Sequence, residues 1–393
     1  MRTVLTANRL FTPDHAVERP IVVIEDGVIA DVTSRLHAEL PEGRHVELPE
    51  STLIPAMFDV HIHGSGGHDV MEATEPALSH VGAFLGRRGV GAYCATTVTA
   101  PLDTLLRSLN GLAKLIRVPM EGARPVGIHL EGPFLSPHKR GAHVESQLQT
   151  PSIALFDRMW EAAEGNIRVM TIAPELLNAE ETIAHASRLG VRVSMGHSNA
   201  NGDAARAGVM AGAVTATHTF NAMRRFDHRD GGLLGEVLGN DRLFAEIICD
   251  GLHVDPAIVR VFWKTKGADR AMLVTDAMAG TGMPDGAYRL GEMEVRVKNG
   301  RCVIGEDTLA GSTLTLDRAL RNFVDFTGAS LADAVLLATR NPARMTGLDS
   351  EIGSVVPGRS ADIAVLSTKN ILIGTILRGV PQLSPSSGDY LNG

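Results

Sequence analysis

Cysteine is scarce: Cys94, Cys249 and Cys302 are the three thiols in 393 residues, and none sits in a CxxC pair. That spacing excludes a disulfide framework or a zinc ribbon. Reduced cysteines of a cytoplasmic protein are the expectation. Apolar runs of membrane-spanning length are missing, and the opening MRTVLTANRLFTP has no long apolar core of a leader peptide. A soluble chain without a membrane partner is therefore expected. Basic excess is absent as well. With 37 Lys and Arg against 45 Asp and Glu, the net charge is -8, which argues against a nucleic-acid partner. No GxGxxG follows the first apolar strand of the central region, as an open dinucleotide-binding sheet would require.

What is present is an alternation. The first fifty residues read as strands, with RPIVVIEDGVIADV forming a hairpin about Asp26-Gly27. The far end, GSVVPGRSADIAVLS, has the same character. Between them lie eight apolar, strand-like segments: LIPAMFDVHIHG, VGAYCATTVTA, PVGIHLEGPFL, IRVMTIAPE, VRVSMGHSNA, AVTATHTFNAM, FAEIICDGLHV and AMLVTDAMAG. Helix-length amphipathic stretches such as DTLLRSLNGLAKLI separate most of them. Apolar strands alternating with helices imply a parallel sheet covered on both faces. Eight such units close a (β/α)8 TIM barrel. The expected organisation is a barrel over 54–353 and a small β-sandwich domain built from both chain ends, 1–53 and 354–393. An irregular β insertion around Asn299-Gly300 and two helices, LTLDRALRNFVDFTG and LADAVLLATRNPARMTG, follow the eighth strand.

A barrel carries its chemistry at the C-terminal ends of its strands. There stand His61 and His63, then His129 and Glu131, His197, His218, Asp250 with His253, and Asp276. Each has an ordinary explanation. His197 and His218 could be neutral core histidines, Glu131 a carboxylate pinned by backbone amides, and Asp276 a helix cap. Their joint occurrence at apolar strand ends is costly unless they pair or bind a metal, so a single metal site accounts for them together.

The stretches FDVHIHG, GIHLEGPFLSPHKRGAH, MGHSNA, ATHTFNAM, ICDGLHV, LVTDAMAG and TLAGSTLT carry a resemblance to the amidohydrolase superfamily. Within it, the chain resembles the N-acetylglucosamine-6-phosphate deacetylases along nearly its whole length. The resemblance implies a homodimer that hydrolyses a phosphorylated amino sugar, with Glu131, His197 and His218 holding a divalent metal. With the HxH intact, a second ion shared through Glu131 by His61 and His63 is also expected. Zinc, iron(II), manganese or cobalt suit imidazole plus carboxylate. Asp276 is the implied general base and acid, with His143 and His253 as candidates to polarise the acetyl oxygen. Asn221, Ala222 and Arg229 are implied to hold the 6-phosphate, Arg229 from its own or a neighbouring subunit. Ala142, His143, Asp250, Gly251, Leu252 and His253 would contact the sugar, and Leu309, Ala310 and Gly311 would close over the ring. On its own, RRFDHRD reads as a solvated charged loop.

Rival readings are a dihydroorotase-like or hydantoinase-like cyclic amide hydrolase, a nucleoside-type deaminase, or a non-catalytic barrel scaffold. The first resembles the chain at HxH but bridges its metals with a carboxylated lysine, where this chain has Glu131.

Overall fold

The computed structural model describes residues 2–382. Residues 383–393, the last part of the expected C-terminal β segment, lie outside the described residues. All eight predicted barrel strands form: Met57–Ile62, Val90–Thr97, Arg124–Glu131, Ile167–Ile172, Arg192–Met195, Thr215–Ala216, Ala245–Ile248 and Ala271–Val274. The first six pair in sequence order, all parallel, and the last two pair with each other. Two seams close the ring. Phe244 N donates to Val214 O (3.0 Å) between strands six and seven, and Asp276 N donates to His61 O (2.9 Å) between strands eight and one. A closed parallel ring leaves no unpaired edge, so each strand can be apolar on both faces.

The helices that cover the ring begin where the sequence supplies caps. Thr74, Ser152, Asn201 and Asp255 each accept a backbone N–H in the first turn of the helix they open. Leu78, Leu105, Leu109, Ile183, Phe262 and Phe323 bury against the outer face of the strands, in one core with Val60, Ile128 and Val169. Each such side chain contributes roughly 1.5–3 kcal/mol on burial. The long C-terminal helix expected over 331–347 is divided into Leu331–Ala338 and Arg340–Thr346. Thr339 breaks it at φ -132° and ψ -79°. Pro342 lacks the N–H that would continue the ladder, and its ring would meet the carbonyl of residue 338.

The two chain ends share one eight-stranded sheet. Arg2–Phe11 lies parallel beside Arg44–Pro55, which pairs antiparallel with Ile363–Ser367. The ladder wraps around its own core of Leu5, Leu10, Leu53, Val355 and Ile363. The Asp26-Gly27 hairpin is present, with both residues left-handed (φ 48° and 83°). Asn299-Gly300 turns the same way (φ 50° and 76°) in a four-stranded insertion spanning 286–309, which packs over the barrel mouth with Leu290 and Val295 in one cluster with Val98 and Ala310.

Candidate metal centre and catalytic pocket

Strand alternation sends His61 and His63 to the same side, toward the barrel axis, while Val60 and Ile62 turn outward into the helix layer. Strand three ends on Glu131, which is buried. Strands five, six and eight then leave the sheet abruptly: His197, His218 and Asp276 have φ of 47°, 28° and 51°. Left-handed backbone at a non-glycine residue costs about 1–3 kcal/mol, and here it recurs at three strand ends that meet in one place. Gly196 permits the approach, since a Cβ on it would stand 2.6 Å from Thr217 Cβ.

The carboxylate of Glu131 is the hub. Its Oε1 lies 3.4 Å from His61 Nε2 and 3.3 Å from both His197 Nε2 and His218 Nε2. Its Oε2 lies 3.3 Å from His63 Nε2 and 3.7 Å from His143 Nε2. Asp276 Oδ1 is 3.0 Å from His63 Nε2 and 3.5 Å from His61 Nε2. Two nests therefore share one carboxylate: His61, His63 and Asp276 on one side, His143, His197 and His218 on the other.

The outer nitrogens set the tautomers. His63 Nδ1 donates to Thr96 O (3.0 Å), His197 Nδ1 to Lys139 O (2.9 Å) and His61 Nδ1 to a carboxylate oxygen of Glu246 (3.0 Å). Each of these rings, when neutral, turns a bare Nε2 lone pair toward Glu131. His197 Nε2 and His218 Nε2 even face each other at 3.0 Å. His61 Nε2 and Glu131 Oε1 are buried without a hydrogen-bond partner. Converging lone pairs and an orphaned carboxylate oxygen fit a divalent cation, and the donor set suits a borderline ion.

The protonation equilibria point the same way. Burial works against a charge on His63, yet Asp276 and Glu131 raise its pKa to about 9. His61 is likewise raised, against burial, by Glu131 and Asp276. Burial pushes Glu131 upward, but His61 and the rings of His143, His197 and His218 hold it well below the usual carboxylate range. The pocket demands positive charge, and a metal would supply it while displacing those protons.

His129, the other strand-three histidine, is spent structurally. Its Nδ1 contacts Val60 O (3.0 Å) and its Nε2 contacts Thr171 Oγ1 (2.7 Å), and burial lowers its pKa to about 4.

The pocket wall contains His63, Glu131, Ala142, His143, His197, His218, Asn221, Ala222, His253, Asp276, Leu309, Ala310 and Gly311. His61 lies beneath it, fully buried. Asp250 stands behind His253, accepting from its Nδ1 at 2.7 Å. Gly251 and Leu252 are not on the wall, and Leu252 is half exposed. Arg229 is not brought to the pocket of its own chain. It sits on an exposed loop with its amide donating to Asp227. Asp276 does not cap a helix; it lies in the loop after strand eight.

Several wall residues escaped sequence reasoning. Val98, Gly141, Leu290 and Met293 line the cavity, two of them from the insertion, whose packing over the mouth no periodicity reveals. Thr99 also went unnoticed. Its amide donates to His143 Nδ1 (3.3 Å) and its hydroxyl lies 2.7 Å from the same atom. With Nδ1 accepting, the ring proton of His143 sits on Nε2, facing the cavity. Glu246 was missed too, although a lone carboxylate inside the apolar run FAEIIC was a visible signal.

Comparison with known proteins agrees with this geometry. The amidohydrolase family profile matches residues 52–385. The chain is 38% identical to the N-acetylgalactosamine-6-phosphate deacetylase of Escherichia coli O157:H7, over 94% of this chain and 96% of that one. It is 33% identical to the N-acetylglucosamine-6-phosphate deacetylase of Bacillus subtilis (strain 168), over 94% of each. Its fold superimposes with a TM-score of 0.92 on an aspartate-to-alanine variant of the Mycobacterium smegmatis N-acetyl-D-glucosamine-6-phosphate deacetylase in complex with N-acetyl-D-glucosamine-6-phosphate. That match is 35% identical and covers 98% of this chain and 100% of that one. A closed parallel barrel, a histidine-rich mouth and a family match over most of its length agree: the chain belongs to the amidohydrolase family.

Proposed function

We propose that the chain hydrolyses the acetamide of N-acetyl-D-glucosamine 6-phosphate, releasing acetate and D-glucosamine 6-phosphate. The observation that carries this reading is the pair of histidine nests around Glu131 with Asp276 at their edge. Glu131, His197 and His218 would hold one divalent ion, and His61 and His63 a second that shares Glu131. Zinc is the ion of choice, with iron(II), manganese and cobalt accepted by the same donors. When bound, such an ion supplies Lewis acidity, which acidifies water and polarises a carbonyl.

The chain's own groups do the rest. Asp276 takes a proton from water as oxygen attacks the acetyl carbon, and returns it to the nitrogen as the C–N bond breaks. His143, with its proton on Nε2, donates to the acetyl oxygen. His253, oriented by Asp250, contacts the sugar. Asn221 and the Ala222 amide hold the phosphate, and Arg229 completes that site from the neighbouring subunit of a homodimer, since a planar guanidinium matches a phosphate fork. Leu309, Ala310 and Gly311 close over the ring. A phosphorylated sugar substrate supports a cytoplasmic location.

Acetate release tests this directly. The 6-phosphorylated sugar should be turned over with added divalent metal, while its unphosphorylated form and a dihydropyrimidine should not. N-acetylgalactosamine 6-phosphate belongs in the same assay, because a relative at 38% identity carries that activity in its name. Turnover of the dihydropyrimidine alone would favour the cyclic-amide reading, and no turnover of any substrate would favour a scaffold. Metal content that never exceeds one ion per chain would remove the second ion.

A further inference from the structure

Glu246 lies in strand seven, flanked by Ala245 and Ile247, and is fully buried. An isolated carboxylate there costs several kcal/mol unless it is paired. It does not itself line the pocket, and it touches no group proposed to bind substrate. Its partners explain its presence. One carboxylate oxygen, Oε2, accepts from His61 Nδ1 at 3.0 Å and from the backbone N–H of His218 at 3.1 Å. Its own carbonyl accepts from Thr219 N at 2.8 Å. The residue thus grips the strained 218–219 turn from two sides while fixing the ring of His61, 185 positions away in the chain. The titratable groups that face it are His61 and His129, and His129 has both nitrogens occupied elsewhere.

We infer that Glu246 is a positioning residue that aims both metal nests at once. It holds His61 with Nε2 bare toward Glu131, and it holds the His218 backbone where the ring reaches the same carboxylate. The inference rests on the metal reading of the pocket and extends it to a residue outside the ligand set. A carboxylate that orients a ligand histidine typically changes metal affinity by about 10–100-fold.

The test is a titration of metal-stripped chain with Co(II) against a competing chelator, read by visible absorption, with circular dichroism and thermal melting alongside. Glu246→Gln keeps the shape and can place its amide oxygen where Oε2 accepts from His61 and His218, but it removes the negative charge and puts an NH2 at the Oε1 place, which has no partner. It should weaken Co(II) binding by about 10–100-fold and alter the cobalt spectrum while the helical signal is retained. Glu246→Asp keeps the charge one methylene short, should fall between parent and Gln, and carries the test if the Gln variant does not fold. A purely structural role predicts lower melting temperatures with Co(II) affinity and spectrum within threefold of the parent, and that result overturns the inference. If the parent itself binds no Co(II), the metal reading fails and this inference falls with it. If the parent binds and both variants match it, the role of Glu246 alone is lost.

Discussion

The barrel mouth and the sheet made by the chain ends spend their irregularities differently. In the sheet, left-handed non-glycine residues mark turns and connections: Asp26 at its hairpin, and Asn370 and Arg378 between the last strands. They serve chain reversal, above a core of Leu5, Leu10, Leu53, Val355 and Ile363. At the mouth, His197, His218 and Asp276 adopt such backbone within reach of one another, beside buried atoms that lack partners. Strain and unsatisfied polarity are tolerated there because the surrounding barrel over-determines the geometry. The sheet is built for stability, and the mouth gives up stability for chemistry.

That contrast can be broken most sharply at Asp276. Asp276→Asn should lower kcat by about 10²–10⁴-fold, with metal content and substrate affinity retained. A steady-state assay showing near-normal turnover would remove Asp276 from the mechanism. The opposite pattern is expected in the sheet. Leu53 is fully buried in its core, and Leu53→Ala should cost about 2–5 kcal/mol in denaturant unfolding, leaving kcat of the folded enzyme unchanged. Lost turnover at full stability would contradict the division of labour.

A smaller effect is expected at the hairpin. Gly27 has φ +83°, and a Cβ there would stand 2.7 Å from Arg378 O. Gly27→Ala should therefore cost more than the ~1 kcal/mol typical of Gly-to-Ala effects, read by thermal melting, with no kinetic change. The smallest effect concerns pH. Burial disfavours charge on His253, but Asp250 raises its pKa above 6.5. A raised folded-state pKa means the stabilisation is complete below about pH 6.5 and fades as pH rises through the folded value. The melting temperature should decline across that window, and Asp250→Asn should flatten the slope. An unchanged slope would show that the pair does not contribute.

Much of this was legible in the chain. The strand ends His61, His63, Glu131, His197, His218 and Asp276 stood out because ionisable groups rarely close apolar runs. Pocket residues from connecting loops were harder. Val98, Leu290 and Met293 look like ordinary apolar residues, and their place on the wall follows from how the insertion folds back. His129 misled in the other direction: it shares the strand-end pattern, yet its nitrogens are consumed by Val60 and Thr171.

By itself the sequence determined the period of eight strands and helices, the turn positions and the types of donor available, because these depend on near neighbours and on side-chain chemistry. Tertiary structure alone decided that His61 meets Glu246 across 185 residues, that two nests share Glu131, and that Arg229 stays away from its own pocket. Those outcomes depend on ring closure and loop packing. Both bring together atoms whose separation along the chain carries no local signal.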